Sequence, residues 1–150
     1  MATEALFYHL ERSPLERTLP VLLEKTLERG WRAVVQAGSQ ERLDALDQQL
    51  WTWRDESFLP HGTSKDGNAE RQPVWLTTGS DNPNGATVRF LVDGAEPGDI
   101  SGLDRLVIMF DGHDQAAVEA AREHWKTLKA AGCEVTYWQQ ADSGAWTRKA

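Results

Sequence analysis

The sequence predicts an α/β fold in which helices flank a largely parallel sheet. Short apolar segments with strand character alternate along the chain with longer segments whose leucines recur at helical spacing. This alternation is typical of parallel sheets built from strand–helix–strand units. Residues 105–110 are the most strongly apolar strand candidate and suit the middle of such a sheet, where both faces are buried. Right-handed crossovers would place helices on both faces.

The first strand and helix are predicted near the start of the chain. Residues 6–10 form a short apolar strand. Pro20 conflicts with an unbroken helix, so we expect a loose turn and then a regular helix over 18–29. Gly30 is a natural end for this helix. Its buried stripe consists of Leu19, Leu22, Leu23 and Leu27.

The second strand and helix follow directly. Residues 31–37 predict a strand with an apolar centre, and Ser39 is a suitable N-cap for the next helix. Three leucines in that helix recur at spacings of three and four residues, which places them on one face. They are Leu43, Leu46 and Leu50, and Trp51 follows them at the end of the helix.

The rest of the chain alternates polar connections with strands. Residues 54–72 contain Pro60 and many polar side chains and form the longest predicted loop. Further strands are predicted over 74–77, 88–92, 105–110 and 134–138, and a helix capped by Asp114 over 114–131. The sequence has no internal repeat and no domain-splitting linker, so we expect residues 1–150 to form a single domain.

The composition limits the possible partners. The formal net charge is −7, so the chain as a whole repels duplex DNA, whose phosphates require clustered Lys and Arg. Screening shortens the reach of this repulsion to roughly 10 Å, so a local basic patch is compatible with the overall charge. We therefore expect any anion to bind at one focused site. Seven tryptophans are many for this length, and some are candidates for interface anchors.

Several classes of protein are disfavoured. No apolar run approaches the roughly 20 residues that span a bilayer, and the N-terminus lacks the features of a signal peptide. The single cysteine, Cys133, cannot form an internal disulfide or a usual zinc site. We expect a cytoplasmic location, no membrane association, no metal and no cofactor.

A polar turn follows the predicted strand 105–110, at a position where α/β proteins often bind ligands. Asp111, His113 and Asp114 could bind a metal or transfer protons, which leaves open a small nucleotide- or metal-dependent enzyme, with His61 as a further candidate. The favoured interpretation is a turn in which Gly112 supplies an unusual φ and Asp114 caps a helix. The sequence also lacks both glycine-rich phosphate motifs and G-x-S-x-G, so no catalytic residue is predicted.

The predicted helix 114–131 places an apolar stripe beside a basic one. Val118, Ala121, Trp125 and Leu128 share one face, and Arg122, Lys126 and Lys129 share the adjoining face. Trp125 therefore lies at the border, where a ligand with both an apolar group and carboxylates could bind. From periodicity alone, a solvated basic face beside ordinary core packing is the favoured interpretation.

Several segments resemble the chi subunit of bacterial DNA polymerase III. They are residues 7–10, 43–51, 56–61, 121–126 and 131–132. Their order and spacing match along nearly the whole chain. The most specific part is Leu-Asp-x-x-Leu-Trp, within 43–51, followed by Glu-Ser-Phe-x-Pro-His over 56–61.

The resemblance implies a Rossmann-like, three-layer α/β fold without nucleotide chemistry. It implies a non-catalytic accessory subunit in DNA replication that contacts nucleic acid only indirectly. Such a subunit links the clamp loader to single-stranded-DNA-binding protein by binding the acidic, Phe-ending C-terminal tail of that protein. The tail site implied by the resemblance consists of Trp51, Arg122, Trp125 and Lys126, which makes a binding surface the favoured interpretation of the basic face.

A second partner, the psi subunit of the clamp loader, is also implied. The corresponding interface is the segment Phe58, Leu59, Pro60 and His61. The chain departs from the family where Val118 occupies the position of a further lysine, so one cationic contact with the tail is expected to be absent.

Overall fold

The computed structural model describes residues 3–11, 15–52, 61–64, 67–79, 81–98, 100, 102–140 and 146–149, without the side chains of Glu16, Trp51 and Thr52. In chain order the elements are β1 (Glu4–Leu10), α1 (Leu15–Glu28), β2 (Ala33–Ala37), α2 (Gln40–Thr52), a 3-10 turn (Ala69–Arg71), β3 (Val74–Thr77), β4 (Val88–Val92), β5 (Arg105–Asp111), α3 (Gln115–Ala130), β6 (Glu134–Gln140) and β7 (Trp146–Arg148). The strands form one sheet in the order β3-β2-β4-β5-β1-β6-β7. The predicted α/β fold with a mostly parallel sheet is confirmed.

Alternate side chains of each strand divide the core into two layers. Val107 and Met109 of β5 pack with the leucines of α1 and α2. Leu106, Ile108 and Phe110 of the same strand pack with α3. Because neighbouring strand residues point to opposite faces, α1 and α2 cover one face of the sheet and α3 covers the other. We call these the α1/α2 face and the α3 face.

Strand β5 is the central strand of the sheet, as its apolar sequence predicts. It pairs in parallel with β4 on one side and β1 on the other. Residues 106–110 are all buried. The start of β5 at Arg105 and the turn after Asp111 therefore lie at opposite ends of the central strand.

Helix α1 begins earlier than predicted and contains Pro20 within it. Pro20 lacks the N–H that would bond the carbonyl one turn back, a loss that usually disfavours a helix interior. Here Pro20 is buried together with Leu19 and Leu23. Packing of the apolar stripe therefore explains why the helix continues through the proline.

The end of α1 agrees with the sequence and has a defined geometry. Gly30 has a φ of 80°, in the left-handed region that glycine adopts without strain. Its N–H donates to the carbonyl of Leu27, and the N–H of Trp31 donates to the carbonyl of Thr26. This pair of bonds is a Schellman motif. It fixes Trp31 directly beyond the helix.

Helix α2 forms as predicted. The Arg42 N–H donates to Ser39 Oγ at 3.3 Å, which confirms Ser39 as the cap. Leu43, Leu46 and Leu50 are buried. Strand β7 was not predicted, because three residues are too few to show a strand period. It pairs antiparallel with β6, so that Arg148 lies opposite Trp138.

A buried arginine holds the loop before β4. Arg89 points to the α3 face and is only 5% exposed. Its guanidinium donates to Gln36 Oε1 and to the carbonyls of Gly79 and Asp81. Among the described residues of the β3–β4 connection there is no helix. This part of the α3 face is therefore covered by a loop that a single cation fixes in place.

Candidate functional site

Helix α3 carries the predicted aromatic and basic residues and packs its apolar side against the sheet. Its first turn is capped by Asp114, whose carboxylate accepts hydrogen bonds from the N–H groups of Ala116 and Ala117. Ala121 and Leu128 are buried against the sheet, while Val118 and Trp125 are half-buried beside them. The predicted apolar stripe of this helix is therefore confirmed.

Trp125 lies between two other rings. Its centroid is 5.4 Å from that of Phe7 on β1 and 6.2 Å from that of Tyr137 on β6. Both pairs have the tilted or edge-on geometry that aromatic pairs prefer. Phe7 and Tyr137 are direct neighbours in the β1–β6 register. The sheet thus fixes Trp125 while leaving part of its indole at the surface.

Two exposed cations lie near Trp125 along α3, one three residues before it and one directly after it. Arg122 and Lys126 are exposed on α3, and the Lys126 side chain is 74% accessible. Lys126 Nζ lies 3.6 Å from Glu123 Oε1 in an exposed pair that contributes little to stability. Burial raises the pKa of the Tyr137 hydroxyl, and the nearby Arg122 charge partly opposes this shift.

A polar network lies beneath Tyr137. The Tyr137 hydroxyl and His9 Nδ1 form a hydrogen bond. Glu11 Oε1 lies 3.0 Å from His9 Nε2, off the direction of a hydrogen bond, and accepts one from Gln139 Nε2 at 3.0 Å. Glu11 adds a negative charge that further raises the pKa of Tyr137. This network fixes the Tyr137 ring against Trp125.

These residues form a surface that suits a particular ligand. We define the α3 aromatic–basic surface as Arg122, Trp125, Lys126 and Tyr137. An exposed indole edge next to two cations can hold a phenyl group and a carboxylate at the same time. Sequence reasoning found the three α3 members by helical spacing. It missed Tyr137, whose only signal was its position two residues after Val135 on the same face of a predicted strand.

The place of Trp51 relative to this surface stays a prediction, because its side chain is not described. Helix α2 packs on the α1/α2 face, over β2 and β3, whereas Arg122 and Trp125 lie on the α3 face over β5 and β6. The sheet separates the two helices, and the Trp51 side chain is outside the described residues. Helical spacing could not reveal this, because it does not specify the face on which each helix packs.

The predicted psi interface is described only in part. Phe58, Leu59 and Pro60 lie outside the described residues. His61 is buried, with no exposed side-chain area, and its Nε2 lies 3.0 Å from Asp47 Oδ1 on α2. A side chain in this position fixes its own segment to α2 and is not part of the surface.

The polar turn after β5, which was considered as a possible enzyme site, has its polar groups engaged in hydrogen bonds with the protein itself. Asp111 Oδ1 accepts a hydrogen bond from the His113 N–H, His113 Nε2 lies 3.0 Å from the Glu11 carbonyl, and Asp114 caps α3. The predicted turn and cap are confirmed. The expected role of Gly112 was wrong, because its φ is not in the left-handed region. Glycine is required there because a Cβ would overlap the His9 imidazole.

Two classes of feature were searched for over the described parts of the chain. No group of three or more His, Cys, Asp and Glu side chains there could hold a metal ion. No described helix is both long and apolar enough to cross a membrane.

Comparison with known proteins matches most of the chain to one family. The family model described as "DNA polymerase III chi subunit, HolC" matches residues 2–136. A curated protein of Rickettsia prowazekii (strain Madrid E), "Probable DNA polymerase III subunit chi", is 28% identical over 96 residues. That match covers 64% of this chain and 56% of the Rickettsia protein. The chain thus spans little more than half the length of that relative.

Proposed function

The chain belongs to the family of DNA polymerase III chi subunits, which are accessory and not catalytic, and from this premise we propose that it links the clamp loader to single-stranded-DNA-binding protein. The link is made when the α3 aromatic–basic surface binds the acidic C-terminal tail of that protein. The location that follows from this role is the replisome in the bacterial cytoplasm.

The position of Trp125 is the observation that carries the proposal. Its side chain is half-buried beside Phe7 and Tyr137, so part of a fixed apolar residue remains exposed to solvent. Arg122 and Lys126 lie on the same helix beside it and are exposed. A tail that ends in Phe would place its phenyl ring against Trp125 and its terminal carboxylate near Arg122. Trp51 remains a predicted member of the site, although α2 packs on the α1/α2 face and the Trp51 side chain is not described.

Apolar contact is expected to supply most of the affinity. An exposed ion pair contributes about 0–1 kcal/mol, so Arg122 and Lys126 chiefly set the orientation and specificity of the tail. Burial of the terminal phenyl ring adds more, since a fully buried Phe side chain contributes about 1.5–3 kcal/mol. These contributions total at most about 5 kcal/mol, so micromolar binding, which corresponds to about −8 kcal/mol, requires further contacts from the acidic residues of the tail. A bidentate pair between Arg122 and the terminal carboxylate would exceed the range of an ordinary exposed pair.

Calorimetry with a short synthetic peptide tests this function. The peptide carries several aspartates and a C-terminal Phe, and Arg122→Ala is expected to weaken its binding by about tenfold, a loss of about 1.4 kcal/mol. Arg71→Ala is the matched control, because Arg71 is also exposed but is the last residue of the 3-10 turn near β3. Equal affinity for wild type and Arg122→Ala, or equal loss in both variants, would reject the surface.

The psi subunit remains the proposed second partner, through residues 58–60. The adjoining His61 is fixed to α2 through its contact with Asp47. A small enzyme based on Asp111, His113 and Asp114 is not supported, because Asp111 and Asp114 bond the backbone of the turn and of α3, and His113 contacts the Glu11 carbonyl.

A further inference from the structure

A second group of cations lies on the α1/α2 face, at the end of the sheet where the parallel strands begin. A cavity of about 210 Å³ is lined there by Lys25, Arg29 and Arg105, together with Leu6, Tyr8, Leu22, Thr26, Trp31, Val88, Phe90 and Val107. The lining contains three cations and, among the described residues, no carboxylate. The lining of this cavity is therefore positively charged, although the chain as a whole has a net charge of −7. We call this space the Trp31 cavity.

We propose that the Trp31 cavity binds a backbone phosphate of single-stranded DNA, with Trp31 and its arginines in contact with the adjoining base. Lys25 and Arg29 come from α1 and the segment after it, and Arg105 comes from the first residue of β5. Lysine and arginine near the end of a helix also stabilise the helix dipole. That effect does not account for Arg105, which joins them from the sheet.

Trp31 is the aromatic member of the site. It is 36% exposed, and among the described residues it is the one large hydrophobic side chain that counts as exposed. The Arg29 and Arg105 guanidinium carbons lie 5.2 Å and 5.3 Å from the ring centroid, within cation–π range. The Schellman motif at Gly30 fixes the backbone of Trp31 in this position. An arginine stacked on an indole is a suitable platform for a nucleic-acid base.

Arg105 and Tyr8 are two further polar residues that line the cavity. Arg105 lies 3.5 Å from Glu4 Oε2, and the Glu4 side chain is 50% exposed, so this pair is long and solvated. A phosphate can therefore compete for Arg105 at little cost. Burial raises the pKa of the Tyr8 hydroxyl, and the Arg105 charge partly opposes the shift. Tyr8 thus stays a neutral hydroxyl group that can donate to an anion.

The size and sign of the cavity select the ligand. Pockets that hold whole small molecules measure roughly 300–1,000 Å³, so a cavity of about 210 Å³ suits one phosphate of a longer chain better than a complete nucleotide. Duplex DNA would meet the acidic remainder of the surface along its length. A flexible single strand can place one or a few phosphates in the cavity and avoid the rest.

This site is separate from the proposed tail site. Leu6, Tyr8 and Val107 line the cavity from the α1/α2 face, whereas Phe7 and Tyr137 support Trp125 on the α3 face. Strands β1 and β5 lie between them. A strand and a tail could therefore bind to the same molecule together.

Fluorescence anisotropy of a labelled oligothymidylate tests the proposal with the full chain. At low salt, saturable binding is expected, with a slope of log K against log salt of about −0.7 for the one phosphate that the cavity holds. Lys25→Gln and Arg29→Gln are each expected to weaken binding by about fivefold. Arg17→Gln removes the same charge from an exposed position of α1 outside the cavity and should change binding by less than about twofold.

The remaining outcomes are decisive. Absence of saturable binding, or an equal loss in Arg17→Gln and Arg29→Gln, would overturn the site. If inorganic phosphate displaced the labelled probe as effectively as unlabelled oligonucleotide at the same phosphate concentration, DNA would not be the ligand. Tail-peptide affinity should be the same in Arg29→Gln as in wild type. If Arg29→Gln and not Arg122→Ala weakened the peptide, the Trp31 cavity would be the tail site and both assignments would be wrong.

Discussion

At the scale of single residues, close contacts explain features that the sequence alone leaves ambiguous. Gly112 looked like a turn glycine with an unusual φ, but its absent side chain makes room for the His9 ring. His9 in turn bonds Tyr137, which supports Trp125. His61 looked like a surface histidine and is buried against Asp47. Sequence could not reveal these roles, since each depends on a neighbour more than ten positions away.

Gly112→Ala tests the first of these contacts. The new Cβ would overlap the His9 imidazole, which cannot move easily because Tyr137 holds it, so we expect a loss of about 1–3 kcal/mol in the free energy of unfolding. Urea denaturation measures it. Gly79→Ala is the control, because a Cβ there would approach Asp81 Oδ1 only to 3.4 Å. Equal stability of wild type and Gly112→Ala would contradict the role assigned to the glycine.

At the scale of elements, periodic segments were predicted well and irregular ones poorly. The leucine spacing gave α2, and the spacing of Ala121, Trp125 and Leu128 gave the buried side of α3. Helix α1 was predicted too short because Pro20 was treated as a barrier. The face on which each helix packs could not be predicted, and α2 and α3 pack on opposite faces of the sheet, so the grouping of Trp51 with Arg122 stays a prediction.

The loop before β4 depends on the ionised form of Asp81. Burial tends to raise the pKa of this carboxyl, but hydrogen bonds from Thr77 and Trp75 and the charge of Arg89 hold it below its ordinary value. A pKa that is lower in the folded chain adds stability above the unfolded value of about 3.9, and this contribution is lost as pH falls through the folded pKa.

Asp81→Asn is therefore expected to be less stable than wild type at pH 7. The difference should shrink as the pH falls below about 4, because wild type then protonates the same carboxyl. Urea unfolding at both pH values measures it. A difference between the two proteins that stays constant from pH 7 to pH 3 would show that the charge of Asp81 does not hold the loop.

At the scale of the whole molecule, an acidic chain carries two basic and aromatic sites on opposite faces of one sheet. The net charge of −7 predicts that an anion binds at one focused site, and the second group of cations goes beyond that prediction. One group, on α3, was visible in the sequence because a helix repeats its face every three to four residues. The other unites Lys25, Arg29, Trp31 and Arg105 from different elements, and only the fold brings them together.

The most direct test of tail binding at α3 is a nuclear magnetic resonance titration of the Trp125 indole N–H with the Phe-ending acidic peptide. Comparison with Trp125→Phe assigns this signal among the seven tryptophans. We expect it to shift in a saturable manner, while the signal of Trp31 stays in place and a peptide ending in Ala has a much smaller effect. A saturable shift at Trp51 or Trp31 with no change at Trp125 would contradict the account.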